Sequence, residues 1–348
     1  VLYYANEKIK WEIAEQVNLG IETKLFKGLV EFTLDAYQEI RHNIIGYRTN
    51  VPANMGIEFS QLDNIGKSRS RGIDFSGKIQ HAFSPDFWII LNGTLTYNKV
   101  VYKAIEEASD KPAWQRKVGK EISQAIGYIA EGVFQDQAEI DNSPKQSGDV
   151  MPGDIRYRDL NGDGVINVED ATHIGHPETP RIIYGFNGFI NYKNFEFSFA
   201  FQGSGNRTFF MDPAQISPFA GDNAMLTAIY KDHWSSDNMS NKPFWPRLST
   251  QNLVVHNAEE NRNAGTERRM STYFMRECNF LRCTSIELAY NMPEKLMNRL
   301  KLKGVKIYAR TNNPFMFSNF KVWDVELGES GFNYPIQRTI SLGLNINF

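Results

Sequence analysis

Phe195-Glu196-Phe197-Ser198-Phe199-Ala200-Phe201-Gln202 carries an aromatic ring at every second position, with polar or small residues between. Side chains on a strand point alternately to opposite faces, so this stretch presents one wholly apolar face and one mixed face. The same alternation recurs outward along the chain. Val17, Leu19, Ile21 and Leu25 interleave with Asn18, Gly20, Glu22 and Lys24. Val30, Phe32, Leu34 and Ala36 interleave with Glu31, Thr33 and Asp35, and Ile73, Phe75 and Ile79 with Asp74, Ser76, Lys78 and Gln80. Phe87, Ile89, Leu91, Leu95 and Tyr97 form a further apolar row, and Ile340, Leu342, Leu344, Ile346 and Phe348 form the last.

The pattern predicts nine strands, at 14–26, 29–41, 69–82, 86–101, 181–192, 195–205, 274–290, 303–312 and 337–348. Each is about ten residues or longer, the length that crosses a bilayer when tilted, where soluble strands average nearer five or six. The connections alternate in length. Tight turns fall at Phe26-Lys27-Gly28, Phe83-Ser84-Pro85-Asp86 and Lys193-Asn194, and 291–302 is moderate, with Pro293 placed to open a short helix. Between them lie long loops at 42–68, 102–180, 206–273 and 313–336. Short turns on one rim and long loops on the other characterise outer-membrane barrels. The fold class is therefore all-β, an antiparallel transmembrane β-barrel. Nine is an odd count and leaves two open edges, untenable in lipid, so the strands are expected to be part of a larger barrel.

Composition agrees. The 348 residues include 24 Phe, 15 Tyr and 6 Trp, and barrels use aromatics as interfacial girdles. A net charge of −2 argues against nucleic acid as a partner. No stretch is long and apolar enough for a spanning helix, the longest apolar run being Phe87 to Leu91. Cys278 and Cys283, if they share a strand, have an odd spacing that puts them on opposite faces and disfavours a disulfide between them. The start, Val1-Leu2-Tyr3-Tyr4-Ala5, carries neither an initiator Met nor a signal-peptide pattern, which predicts a longer parent protein.

The sharpest chemical motif is Asp159-Leu160-Asn161-Gly162-Asp163-Gly164-Val165-Ile166-Asn167-Val168-Glu169-Asp170. It follows the twelve-residue calcium loop, with side-chain oxygens from Asp159, Asn161 and Asp163, a turn at Gly164, the Val165 carbonyl, Asn167, and Asp170 closing the ring. Asp at the last position has a shorter reach than the usual Glu. The expected cofactor is a structural Ca²⁺; the competing reading is an Asn/Asp/Gly turn without metal. His173 and His176, just beyond, read as solvated loop residues. Phe209, Phe210, Trp234, Phe244, Trp245 and Trp323 fall in long loops, where they either stack on sugar rings or pack the loops together. Arg268 and Arg269 with Glu259 and Glu260 read as solvated surface. No nucleophile elbow, phosphate loop or dinucleotide fingerprint occurs, so no catalytic residues are assigned.

The stretch Gly153-Asp154-Ile155-Arg156-Tyr157-Arg158-Asp159-Leu160-Asn161-Gly162-Asp163-Gly164-Val165-Ile166 resembles the signature GDIKYxDxNGDGxI of SusC/RagA-type transporters of Bacteroidetes. Further matches keep the family's order. They include Gly127-Tyr128, Gly132-Val133-Phe134-Gln135, Tyr184-Gly185-Phe186, Phe201-Gln202-Gly203, Asn279-Phe280-Leu281-Arg282, Leu288-Ala289-Tyr290-Asn291-Met292-Pro293, Arg310-Thr311-Asn312-Asn313 and Tyr334-Pro335. The resemblance implies that residues 1–348 are the C-terminal part of a TonB-dependent transporter barrel of about 22 strands. It also implies a plug domain and TonB-coupling motif upstream, a SusD-like surface lipoprotein as partner, and import of oligosaccharides or peptides across the Gram-negative outer membrane. From the residues alone a secreted, calcium-stabilised β-sandwich, either an adhesin or a carbohydrate-binding module, stays open. An outer-membrane enzyme on a barrel scaffold would need a catalytic constellation that the sequence does not supply.

Overall fold

The computed structural model describes residues 6–50, 61–219, 224–249, 270–329 and 331–348. The chain opens with β1 (Ile13–Leu25), β2 (Val30–Tyr47), β3 (Leu62–Ser84) and β4 (Phe87–Ala104). It then leaves the sheet through β5 (Ala125–Tyr128), β6 (Ala130–Val133), helix α1 (Gln137–Asp141), β7 (Ile155–Tyr157) and β8 (Thr172–Ile174). It returns as β9 (Ile182–Tyr192) and β10 (Phe195–Gly205). A second excursion holds β11 (Thr208–Phe210), α2 (Pro213–Ile216), α3 (Thr227–Lys231), β12 (Met270–Ser271) and β13 (Met275–Glu277). The last elements are β14 (Phe280–Asn291), α4 (Glu294–Leu300), β15 (Gly304–Ser318) and β16 (Thr339–Asn347).

Nine strands form one antiparallel sheet in the order β1-β2-β3-β4-β9-β10-β14-β15-β16, open between β1 and β16 among the described residues. Consecutive strands of the sheet are neighbours throughout, the meander that short turns enforce. At the first turn Phe26, Lys27 and Gly28 take φ of 52°, 59° and 89°, which reverses the chain within three residues. At the third, Lys193 takes φ 53° and its N–H donates to the Asp86 carbonyl of the neighbouring turn at 2.6 Å. Pro293 caps α4 as expected, and Lys301 ends that helix in the left-handed region.

The register aligns the alternation of all nine strands. Residues directly opposite share a face. One row runs Leu25, Val30, Ile79, Leu91, Gly188, Phe199, Ile286, Thr311, Ile340. The other face carries rows such as Lys24, Glu31, Lys78, Asn92, Asn187 and Asn18, Tyr37, Gly72, Asn98. The apolar face is bare: Leu19 is 73% exposed and Leu342 is 84% exposed. A soluble protein rarely leaves more than a few hundred Å² of contiguous apolar surface in water. A sandwich would cover this face with a second sheet; the remaining described sheets have only two or three strands and lie in the long connections.

Aromatic residues mark the edges of that apolar band. Phe87, Tyr192, Phe195 and Tyr290 form one cross-strand row beside the short turns, with ring centroids 5.7 Å apart for Phe87–Tyr192 and 4.8 Å for Phe195–Tyr290. Toward the long loops Phe186, Phe201, Phe315 and Phe317 make a second cluster, with centroids 4.7 Å, 6.1 Å and 5.5 Å apart in succession. Six to eight residues separate the two levels, roughly 20–27 Å along a strand. That matches the height of a barrel's lipid-facing band, about 25 Å between its two girdles.

Several expected boundaries move. β2 continues past residue 41 to Tyr47 and β3 begins at Leu62 rather than 69, because an irregularity between Arg41 and Ile44, with Asn43 at φ 59°, restores pairing after the alternation breaks. β15 reaches Ser318 rather than 312 by the same device at Asn313, φ 49°. The predicted strand 274–290 is two, β13 and β14. Cys278 sits in the break, its N–H donating to the Arg207 carbonyl at 2.8 Å, so the two cysteines do not share a strand. Val1–Ala5, Glu259, Glu260, Arg268 and Arg269 lie outside the described residues.

The described parts of the long connections at 102–180 and 206–273 are folded. The buried core lies in them, not in the sheet. Val133, Ile155, Tyr157, Phe209, Met211, Ile229, Trp245 and Phe274 pack together, joined by Phe280 from the head of β14 and by Phe320 and Val325 from the β15–β16 connection. Where cap and sheet meet, Gly203 packs so tightly that a Cβ would land on the Phe280 carbonyl and the Tyr184 ring. The Tyr184 hydroxyl donates to that same carbonyl at 3.0 Å. Gly203→Ala should therefore lower stability by about 2 kcal/mol, since backbone cannot yield as a side-chain tip can. An unchanged denaturant midpoint would contradict this packing.

Candidate functional site

Two features of the polar side bear on function: the charged wall of the sheet and the folded cap above it. On the wall, Lys306 Nζ lies 2.6 Å from Glu196 Oε2, and Arg310 lies 2.5 Å from Glu287 Oε2. Asn291 Nδ2 donates to the other Glu196 oxygen at 2.6 Å. These groups come from β10, β14 and β15 and share the face of Asn18, Glu22, Asp74 and Asn345, the positions expected to point away from lipid. Hydrogen-bonded ladders of opposite charge keep such a wall polar without leaving unpaired ions.

In the cap, the loop 159–170 links β7 to β8. Asp159 accepts from the Gly162 amide at 2.6 Å and, through its other oxygen, from the Gly164 amide at 2.8 Å. Asp163 accepts from Val165 N–H at 2.8 Å and from Asn161 Nδ2 at 2.9 Å. Asp170 is fully buried and accepts from the Leu160 and Asn167 amides, both at 2.8 Å. Asn167 caps the short turn that follows, accepting from Glu169 N–H at 2.7 Å. Lys145 pairs along the loop, its amide on the Gly164 carbonyl at 2.8 Å and its carbonyl under the Ile166 amide at 2.9 Å. Trp114 Nε1 clamps the far end through the Glu169 carbonyl at 2.7 Å.

The donor set is all oxygen, the chemistry a hard divalent cation takes, and Gly162 and Gly164 supply the left-handed backbone the loop needs at φ 77° and 81°. In this geometry, however, the carboxylates serve the loop's own amides. Among the described residues no group of three or more His, Cys, Asp or Glu side chains is arranged to hold a metal ion. Asp170, expected from sequence to close the ring, is buried with both oxygens accepting loop amides.

The Asp159 carboxyl is held below the usual carboxylate range, chiefly by the Gly164 amide. A depressed folded-state pKa contributes stability that is complete above the unfolded value and is lost as pH falls through the folded one. Protease cleavage within 145–175 should accordingly accelerate below about pH 4, and Asp159→Ala or Asp163→Ala should produce the same effect at neutral pH, with the sheet intact. Cleavage rates indifferent to both would remove these carboxylates as the loop's supports.

Most of the loop aromatics pack the cap. Phe209 meets Phe320 edge-on at 5.3 Å, Trp245 meets Phe274 at 5.4 Å, and Trp323 lies 4.8 Å from Phe320 while donating to the Gly328 carbonyl at 2.9 Å. Trp234 and Phe244 are half-buried against the same core. Phe210 instead borders a cavity of about 730 Å³ that His173, His176, Arg207 and Glu326 also line. Burial pushes the His173 imidazole below its ordinary pKa, and its Nε2 lies 3.1 Å from the Arg116 carbonyl. The histidines read as solvated are thus part of a cavity wall.

A family model described as "TonB dependent receptor-like, beta-barrel" matches residues 1–172. TonB-dependent receptor P3 of Formosa agariphila is 27% identical over 99% of this chain and 35% of its own length. TonB-dependent receptor SusC of Bacteroides thetaiotaomicron is 26% identical over 99% of this chain and 32% of its own. The chain is thus similar to TonB-dependent receptor β-barrels, by the family model over its first 172 residues and by these relatives along its length.

The receptor barrel is thereby an outer-membrane one of SusC type, and the bare apolar face is its lipid face. The chain spans about a third of the length of the curated relatives it matches. Among solved structures, that of the RagAB peptide importer in its open-open state superposes with a TM-score of 0.71 at 18% identity, over 100% of this chain and 36% of that one. The closed-closed state of the same importer gives 0.68. These likenesses concern the fold. What sequence reasoning missed is the cap: its strands are two to four residues long, too short for periodicity to register.

Proposed function

We propose that the chain is the C-terminal third of a SusC/RagA-type importer. In this reading further strands close the sheet into a plugged barrel of about 22, with the long-loop cap outside the cell. The barrel takes up oligosaccharides or peptides, delivered by a SusD-like surface lipoprotein and drawn inward by TonB through elements upstream. It catalyses no reaction. The observation that carries this is the bilayer-high apolar band crossing all nine strands beneath a folded cap, in a chain related along its length to SusC.

Calcium is part of the proposal as a structural pin, with Asp159, Asn161, Asp163, the Val165 carbonyl, Asn167 and Asp170 holding it when it binds. The all-oxygen donor set supports this. Added Ca²⁺ should slow proteolysis of the loop, and chelation should reverse that.

The test of import is growth. Cells lacking the full-length gene should fail on one class of glycan or peptide as sole carbon source, and deletion of the TonB-coupling motif should reproduce the failure. Affinity purification of the full-length protein should bring down a lipoprotein. Unimpaired growth on every glycan and peptide pool, with no lipoprotein recovered, would sink the reading.

A further inference from the structure

We propose that the cavity under the cap is a binding site for the carboxylate group of a ligand, with Arg207 as its main anchor. The proposal rests on the importer reading only for where the ligand comes from. The cavity's volume, about 730 Å³, lies within the range of ligand pockets, roughly 300–1,000 Å³. Its position suits a cargo site. Tyr102, which lines it, falls on the polar face of β4, and Glu326, which also lines it, is bound to Arg282 on the polar face of β14. The cavity therefore stands on the lumenal side of the strand ends, beneath the long loops.

The charged groups that line it differ in how they are paired. Arg207 is half-buried and has no carboxylate partner among the described residues. Its Nη1 reaches only the Cys278 sulfur at 3.4 Å, and its Nε is buried without a hydrogen bond. His173 and His176 also line the cavity, each with Nδ1 buried and unbonded. Lys111 and Lys120 add positive potential around His173. Glu326 already receives Arg282 Nε at 2.6 Å, so it offers no full charge to Arg207. Glu329 follows on that same connection, and Glu178 is exposed at the rim.

A guanidinium left without a carboxylate beside an open cavity is poised for a planar two-oxygen acceptor. Burial disfavours the charged form of the His173 imidazole, and an anion beside it favours that form and gains a further donor. An uncharged sugar or peptide segment leaves the guanidinium unpaired and gains none of this.

Isothermal titration calorimetry on the full-length transporter in detergent tests the site without requiring transport. The probes are D-glucuronate against D-glucose, and trialanine against trialanine amide, pairs differing only in the carboxylate. At least one acid should bind ten-fold or more tighter than its neutral partner, and which one does so distinguishes a sugar acid from a peptide terminus. Arg207→Gln should abolish that preference, and His176→Gln, a milder change, should reduce it several-fold. Equal binding of acid and neutral partner, no binding of either, or a preference that survives both variants overturns the proposal. Loss of growth-supporting import with the preference intact would instead count against the importer reading alone.

Discussion

Phe199→Arg should lower the stability of the full-length barrel by about 2–4 kcal/mol, the cost of a cationic side chain near the bilayer midplane on a barrel's lipid face. Phe199 stands between the two aromatic levels, opposite Gly188 on β9 and Ile286 on β14, with Phe186, Phe197 and Phe201 around it at centroid distances of 6.4, 5.8 and 5.9 Å. A guanidinium there has no acceptor within the band. It can reach the interface only by stretching along the strand, which returns part of the cost as lost rotamer freedom.

The control is one residue away. Ser198 faces Glu287, which pairs with Arg310, so Ser198→Lys adds a cation to a wall that already balances charges. It should change stability by no more than about 0.5 kcal/mol. Denaturant midpoints of protein refolded in bilayers give both numbers, and Phe199→Ala separates the lost ring from the added charge. If Phe199→Arg and Ser198→Lys cost the same, the two faces are not lipid and lumen.

That contrast was legible in the sequence because both faces repeat every second residue over some ten positions, long enough for the period to stand clear of chance. Its extent was not, because a bulge shifts the alternation by one. Past Arg41 the apolar residues change parity while the ladder continues, and in β15 the ladder is interrupted between Asn312 and Phe315, so a period-two reading ends where the strand does not. The cap was hidden for another reason. Tyr128, Phe209, Trp245, Phe274 and Val325 come from separate segments and meet only in space. The available signal was local: Phe209-Phe210-Met211 and Phe244-Trp245-Pro246 are apolar runs too dense for solvated loops. In the loop 159–170 the sequence shows the oxygen-bearing residues but not the hydrogen bonds they make with the loop's own amides. An Asp at the twelfth position is short enough to fold back on the Leu160 and Asn167 amides.

Arg282→Met should release the β15–β16 connection at a local cost of about 3 kcal/mol, the usual penalty for removing one member of a buried ion cluster. Arg282 is 4% exposed at the cap end of β14. It holds both Asp324 oxygens at 2.7 Å and Glu326 at 2.6 Å. Val325 between them is fully buried, and its carbonyl receives the Cys278 thiol at 3.5 Å. One guanidinium thus pins a connection of some twenty residues (319–338) over the lumenal side of the sheet. Without it two carboxylates face each other half-desolvated, and the cheapest relief is for the segment to lift into water. Proteolysis between 319 and 338 should then appear while the sheet's unfolding midpoint stays put. Arg282→Lys should be intermediate, since one ammonium cannot span both acids with the planar fork of a guanidinium. Adding Asp324→Asn and Glu326→Gln to Arg282→Met should restore much of the protection, because the triple variant buries no unpaired charge. If the triple variant is cut as fast as Arg282→Met, charge is not what holds the segment, and the packing of Phe320, Trp323 and Val325 must hold it instead.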